Sequence, residues 1–159
     1  MRTVMRNNWT RLAMALILAV GGLVGFTPAP ASAAACYAGS CDYWDPSTAG
    51  CTAGSEVRSE FSIRTWRYKV MYSPACHAGW AEVTVGQGEY YCAARYLHLL
   101  VRTSSAGSPV SRRVKDIPNC LDTGQTARTT MASYNYWLQT CASTLSNDIF
   151  PAGRCTGIV

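Results

Sequence analysis

Polar and apolar positions alternate from Val57 to Tyr72, with Val57, Ser59, Phe61 and Ile63 on one parity and Trp66, Tyr68, Val70 and Tyr72 on the other. A period of two marks a half-buried strand. The parity switches at Arg64-Thr65, so a turn or bulge there predicts two antiparallel strands whose apolar faces share a side. Ser73-Pro74 ends the second strand. Trp80 to Val85 predicts a third, with Ala81, Val83 and Val85 on one face, before a reversal at Gly86-Gln87-Gly88.

The second half is less regular. Glu89 to Arg102 is an apolar run with a parity slip near Tyr96-Leu97, which predicts one long bent strand or two short ones. Ser104 to Pro109 is a loop, and Val110, Arg112 and Val114 alternate after it. Pro118-Asn119-Cys120 and Thr123-Gly124 mark turns. Thr126 to Met131 and Tyr134 to Cys141 predict two more strands, the latter with Tyr134, Tyr136 and Leu138 on one face and Trp137 on the other. A helix over Met131 to Leu145 competes there, but the aromatics and threonines favour strand. Short strands separated by Gly, Pro and Ser turns predict an all-β fold, a small disulfide-stapled antiparallel β-barrel or β-sandwich.

Ala34 to Gly54 has no period, and its order must come from cross-links and packing. Asp45-Pro46 and Ala49-Gly50 mark turns within it. Ahead of it, Arg2, Arg6 and Arg11, an apolar run from Leu12 to Phe26, and Ala31-Ser32-Ala33 have the three parts of a secretory signal, with cleavage expected after Ala33. The apolar run is shorter than the ~20 residues that span a bilayer. The position three before Cys36 is Ala33 rather than leucine, which disfavours a lipid anchor. The expected organisation is a signal peptide over residues 1–33 and one disulfide-rich β domain over 34–159, secreted, with no membrane span in the mature form.

All eight cysteines, Cys36, Cys41, Cys51, Cys76, Cys92, Cys120, Cys141 and Cys155, lie after the signal. An even number in an exported chain predicts disulfides, in any of 105 pairings for eight cysteines, and linkage of Cys36 or Cys41 to Cys51 or Cys76 would pin the loop to the strands. A zinc reading of Cys36-x4-Cys41 lacks a partner pair at matching spacing, and exported thiols are normally oxidised, so no metal and no cofactor is expected. Removing the three signal arginines from 14 basic residues leaves 11 against nine acidic ones, a net charge of +2. That balance argues against nucleic acid as a partner, and Arg112-Arg113 with Lys115 reads as a solvated strand face.

Candidate catalytic chemistry is sparse. Of two histidines, His98 is expected to face solvent opposite Leu97 and Leu99, and His77 follows Cys76 without a nucleophile motif to serve. Asp42 and Asp45 are the nearest approach to a hydrolase carboxylate pair. Aspartates three apart in a cysteine-bounded loop more often accept backbone N–H bonds, so no catalytic residue is assigned and no enzyme is expected. The aromatics are more informative. Trp66 and Trp80 read as core residues, whereas Tyr37, Tyr43 and Trp44 lie in the loop and are the candidate partner-binding surface.

The order Cys36-x4-Cys41, Asp45-Pro46, Gly50-Cys51, a strand pair, then Tyr72-Ser-Pro-Ala-Cys76-x3-Trp80-Ala81 resembles the YjfA-like family of secreted or cell-surface actinobacterial proteins of unknown function. Thr129-Thr-Met131, with Cys141 downstream, resembles that family's closing segment. The extra cysteines Cys92, Cys120 and Cys155, and Tyr43-Trp44 before Asp-Pro, depart from the pattern. The resemblance implies a disulfide-bonded β domain without a known catalytic site. Some similar proteins are the small adaptor of secreted umbrella toxin particles, joining a lectin-bearing, trypsin-like subunit to the repeat-built spokes of a large toxin subunit. Those adaptors dock through an N-terminal segment, and here only Ala34 and Ala35 precede Cys36, which leaves docking to the loop or to a strand edge. Two rivals from other classes are a free-standing secreted inhibitor or small toxin acting on a competitor's envelope or enzyme, and a wall hydrolase using Asp42 or Asp45.

Overall fold

The computed structural model describes residues 34–87, 94–117, 121–144 and 154–159. Among these the chain forms two antiparallel sheets packed face to face, a sandwich rather than a closed barrel. The first sheet contains β1 (Glu56–Ile63), β2 (Trp66–Ser73) and β3 (Ala78–Val85). The second begins with β4 (Tyr96–Arg102) and β5 (Ser111–Asp116). β6 (Thr126–Arg128) and β7 (Ala132–Ser133) both pair with β3, and β8 (Trp137–Ser143) and β9 (Arg154–Cys155) complete the second sheet in the order β5-β4-β8-β9.

The alternation read from the sequence is what builds this core. The β1–β2 turn falls at Arg64-Thr65, and the register Phe61 to Tyr68 and Ile63 to Trp66 puts both apolar parities on the inner face. Val83 and Ala81 stand opposite Tyr68 and Val70 on that same face. Leu97, Leu99 and Val101 of β4 meet them from the second sheet, along with Leu138 of β8, all buried in one cluster. A hydrogen bond crosses between the sheets where Thr140 Oγ1 donates to the Lys69 carbonyl at 2.8 Å. Gly79 is required for the close approach. A Cβ there would stand 2.5 Å from Leu138 Cδ1 and 2.8 Å from the Met71 carbonyl, closer than real contacts allow.

Several expectations change. Thr126 to Met131 is not one strand: the ladder with β3 breaks after Arg128 and resumes at Ala132. Thr129 Oγ1 accepts the Ala81 N–H at 3.1 Å inside that break, so the buried amide keeps a partner. Tyr134-Asn135 is a turn, and the competing helix does not form. Leu138 is buried and Trp137 exposed as expected, but Tyr136 lies in the turn region and is exposed instead of sharing Leu138's face. β4 keeps continuous register with both neighbours from Tyr96 onward, and the expected parity change falls just before it, since Ala94 and Leu97, three residues apart, are both buried in the inner core. Gly88 to Ala93 and the turn at Pro118 to Cys120 lie outside the described residues, as do Cys92, Cys120 and the signal region.

His98 corrects the reading of its own strand. Its side chain does point away from Leu97 and Leu99, but it is fully buried, with Nε2 3.1 Å from Ser143 Oγ. It stands opposite Cys141, whose disulfide to Cys155 draws the short β9 onto that end of the sheet. Arg113 is a second correction: it is 6% exposed, so this part of the basic run is not a solvated face. Register sets Arg113 opposite Leu99 on the inward parity and the Tyr43 ring covers its guanidinium, whereas Lys115, on the same parity opposite Leu97, is exposed.

Candidate functional site

The cysteine-bounded loop lies on the outer face of the first sheet. Met71, Ala78 and Trp80 project outward from β2 and β3, and Cys41, Ala49, Cys51, Cys76 and Met131 close over them as a second, smaller core. Trp80 is fully buried there, while Trp66 is buried in the main core, as expected of both. Main-chain bonds hold the loop down. Tyr43 N–H donates to the Met131 carbonyl at 3.1 Å and Met131 N–H to the Trp44 carbonyl at 2.9 Å, using the segment freed where the β3 ladder breaks. Ala38 N–H donates to the Cys76 carbonyl at 2.7 Å.

Neither Cys36 nor Cys41 pairs with Cys51 or Cys76. Cys36 bonds to Cys41 and Cys51 to Cys76, so one bridge closes a tight loop and the other ties the loop to the β2–β3 turn; Cys141 pairs with Cys155. Cys36 and Cys41 are therefore not the anchor; Cys51 is. The two bridges lie side by side, with all four sulfurs within 4.8 Å of one another.

The three loop aromatics are exposed, Tyr37 at 61%, Tyr43 at 66% and Trp44 at 47%, but they do not form one patch of stacked rings. Tyr37 precedes the 3-10 turn Ala38–Cys41, which the Ser40 hydroxyl supports by accepting Tyr37 N–H and donating to the Tyr37 carbonyl. Its ring stacks on His77 at 5.5 Å. His77 joins a further set: Nδ1 lies 3.1 Å from the Tyr72 hydroxyl and Nε2 3.1 Å from Asn135 Oδ1. Tyr72 packs on Tyr134 at 4.2 Å. Arg58, at the bulge between Val57 and Ser59, reaches both rings and donates from Nε to the Tyr134 hydroxyl at 3.2 Å. That hydrogen bond, more than any other contact, raises the Arg58 pKa. Tyr43 belongs elsewhere, with the Arg113 guanidinium 3.6 Å above its ring.

Backbone strain concentrates in the same place. Ala38, Tyr43 and His77 have φ of 48°, 69° and 44°, in the left-handed region that costs a side-chain-bearing residue energy. Gly50, at φ 72°, takes the same conformation without that cost, as its position after Ala49 predicts. Both aspartates are engaged by main chain. Asp42 Oδ1 accepts Ser133 N–H at 2.7 Å, and Asp45 Oδ1 accepts the N–H groups of Ser47 and Thr48 at 2.9 and 3.0 Å. Asp45 thus caps its own turn, whereas Asp42 accepts a backbone N–H from a distant part of the chain.

Sequence reading missed Arg58, Tyr72, Tyr134 and Asn135 around His77. The bulge that aims Arg58 and the turn that aims Tyr134 were hidden, because alternation alone assigns those residues to regular strands. Comparison with known proteins adds no identity: no family model matches the chain, no curated protein matches it, and no solved structure matches it. Three disulfides occur among the described residues, and no helix among them is long and apolar enough to cross a membrane. Such cross-linking suits an oxidising, extracytoplasmic compartment.

Proposed function

We propose that this chain is an exported, non-enzymatic protein-binding domain whose docking surface is the cross-linked loop. The observation that carries the reading is the presentation of Tyr37, Tyr43 and Trp44. Each is exposed although the backbone beneath them is tied by two disulfides and by main-chain bonds to Cys76 and Met131. Aromatic side chains on a fixed backbone lose little freedom on binding and anchor interfaces well. The strain at Ala38, Tyr43 and His77 supports the same conclusion, since costly conformations persist where they serve presentation. The exposed β1 edge offers main-chain groups for a second contact.

The finer reading is an adaptor in a secreted antibacterial umbrella toxin complex, linking a lectin-bearing, trypsin-like subunit to a repeat-containing toxin subunit. It rests on the motif residues from Cys36 to Ala81 and on analogy. The test is affinity purification of the tagged mature chain from culture supernatant, beside a Tyr43→Ala/Trp44→Ala variant. The expected result is recovery of these two subunits by the parent chain and a loss of about 10-fold or more with the variant, the scale of interface anchors. Recovery of bait alone would overturn the adaptor reading. Growth inhibition of a competitor by the purified domain alone would replace it with a free-standing effector.

A further inference from the structure

The side-by-side bridges have a second chemistry available to them. Cys36, Cys41, Cys51 and Cys76 come from three separate stretches of chain, yet their sulfurs all lie within 4.8 Å of one another, the one such grouping of metal-ligating side chains among the described residues. A tetrahedral zinc–thiolate centre has Zn–S bonds of about 2.3 Å, which sets its sulfurs about 3.8 Å apart. The bonded pairs would part by under about 2 Å to reach that spacing. Sulfurs of different bridges lie no more than 4.8 Å apart, so the adjustment they need is of the order of 1 Å.

The geometry points to a tetrathiolate zinc site in the reduced chain, formed by these four cysteines. An external dithiol supplies two electrons and two protons to each disulfide and closes to its own disulfide, leaving two thiols per bridge. One Zn²⁺ then displaces four protons and bonds four thiolates. Two equivalents of the external disulfide take back two electrons each, with protons from water, reforming both bridges and releasing Zn²⁺, so the same sulfurs serve alternately as staples and as ligands.

Three observations favour this over bridges with no ligand role. Cys41, Cys51 and Cys76 are fully buried, which keeps water from the coordination sphere, while half-exposed Cys36 leaves the anionic centre one face toward solvent. The surrounding cluster contributes Met71 and Met131, a soft, polarizable shell suited to a thiophilic metal. The backbone that carries the thiols is held by main-chain bonds as well as by the S–S bonds: Ala38 N–H bonds the Cys76 carbonyl at 2.7 Å, Cys51 N–H the Pro46 carbonyl at 2.8 Å, and Trp44 N–H the Cys41 carbonyl at 3.1 Å. Sequence reading set zinc aside because no second pair stands at matching spacing and because exported thiols are normally oxidised, which confines the site to the reduced chain. The fold supplies that pair from Cys51 and Cys76.

This inference is independent of the partner-binding reading, and its test uses no partner. The mature chain is reduced with a water-soluble phosphine, which becomes its oxide and adds no competing thiol, then given Zn²⁺ alone. Native mass spectrometry and alkylation mapping follow. The expected result is one retained zinc that protects Cys36, Cys41, Cys51 and Cys76 from alkylation while Cys141 and Cys155 react. A Cys141→Ser/Cys155→Ser variant keeps the metal, and a Cys41→Ser/Cys76→Ser variant loses it. Absence of retained zinc in the reduced parent chain, or protection falling on other cysteines, overturns the proposal whether or not the second variant folds.

Discussion

The first sheet supports two cores, one on each face, and they are held by different means. On the inner face, Tyr68, Val70, Leu97, Leu99 and Leu138 exclude water by apolar area drawn from both sheets. On the outer face, Met71, Trp80 and Met131 are covered by a loop with little apolar area of its own, fastened by Cys51–Cys76 and by main-chain bonds. The inner core is continuous with the strand pairing. The outer one is a local enclosure over one end of a sheet whose other end is polar, with Glu82 bonded to Lys69 at 3.3 Å and to Arg128 at 2.8 Å. Apolar burial thus secures the sandwich, and covalent closure secures the surface that carries exposed aromatics.

That contrast can be broken at its strong end first. Leu99→Ala leaves a cavity between the sheets and should cost about 2–5 kcal/mol, lowering the unfolding midpoint of the whole domain by denaturant titration. Next, Cys51→Ala/Cys76→Ala removes a cross-link of sequence separation 25 and should cost about 3 kcal/mol in the chain-entropy model. The sharper readout is amide exchange. The loop amides, Tyr43 above all, should lose protection well before β4 and β8. Simultaneous loss across both regions would mean that the two cores are one cooperative unit.

Asp42→Asn probes the loop's docking with less force. It keeps an acceptor for Ser133 N–H but removes its charge, so about 1 kcal/mol of stability should be lost. A wall-hydrolysing enzyme predicts instead that stability holds while activity on wall polymer vanishes. The smallest effect belongs to Tyr68→Phe. The Tyr68 hydroxyl is buried without a hydrogen-bond partner among the described residues, so its removal should change stability by no more than about 1 kcal/mol, in the stabilising direction. Burial raises the phenol's pKa well above its usual 10.0. The unfolded chain therefore releases this proton first, and the parent loses stability as pH climbs beyond about 10. The phenylalanine side chain has no proton to release, so the variant's advantage should widen between about pH 8 and pH 11. A constant difference across that range would place the hydroxyl in contact with water.

Much of the sandwich was legible because alternation records burial directly. The parity switch at Arg64-Thr65 gave the first hairpin, and Ala81, Val83 and Val85 identified an inner face. The failures came where the second neighbour was nonlocal. His98 faces outward by parity and is buried all the same, opposite a disulfide-bonded strand end, and Arg113 looked like surface charge until register set it opposite Leu99. The break at Thr129 to Met131 is invisible in one strand's pattern, because its cause is the competing claim of Tyr43 and Trp44 on the Met131 main chain. The loop aromatics were found from composition. Their separation, with Tyr37 joined to His77 and Tyr43 to Arg113, depends on contacts between distant parts of the chain.

The contact between Tyr43 and Arg113 has a mechanical consequence. The loop is fastened to the first sheet, whereas Arg113 belongs to β5, an edge strand of the second. The phenol ring is therefore a clasp across the sandwich. A tug on it reaches the second sheet as well as the first, through a contact worth about 0.5–2 kcal/mol.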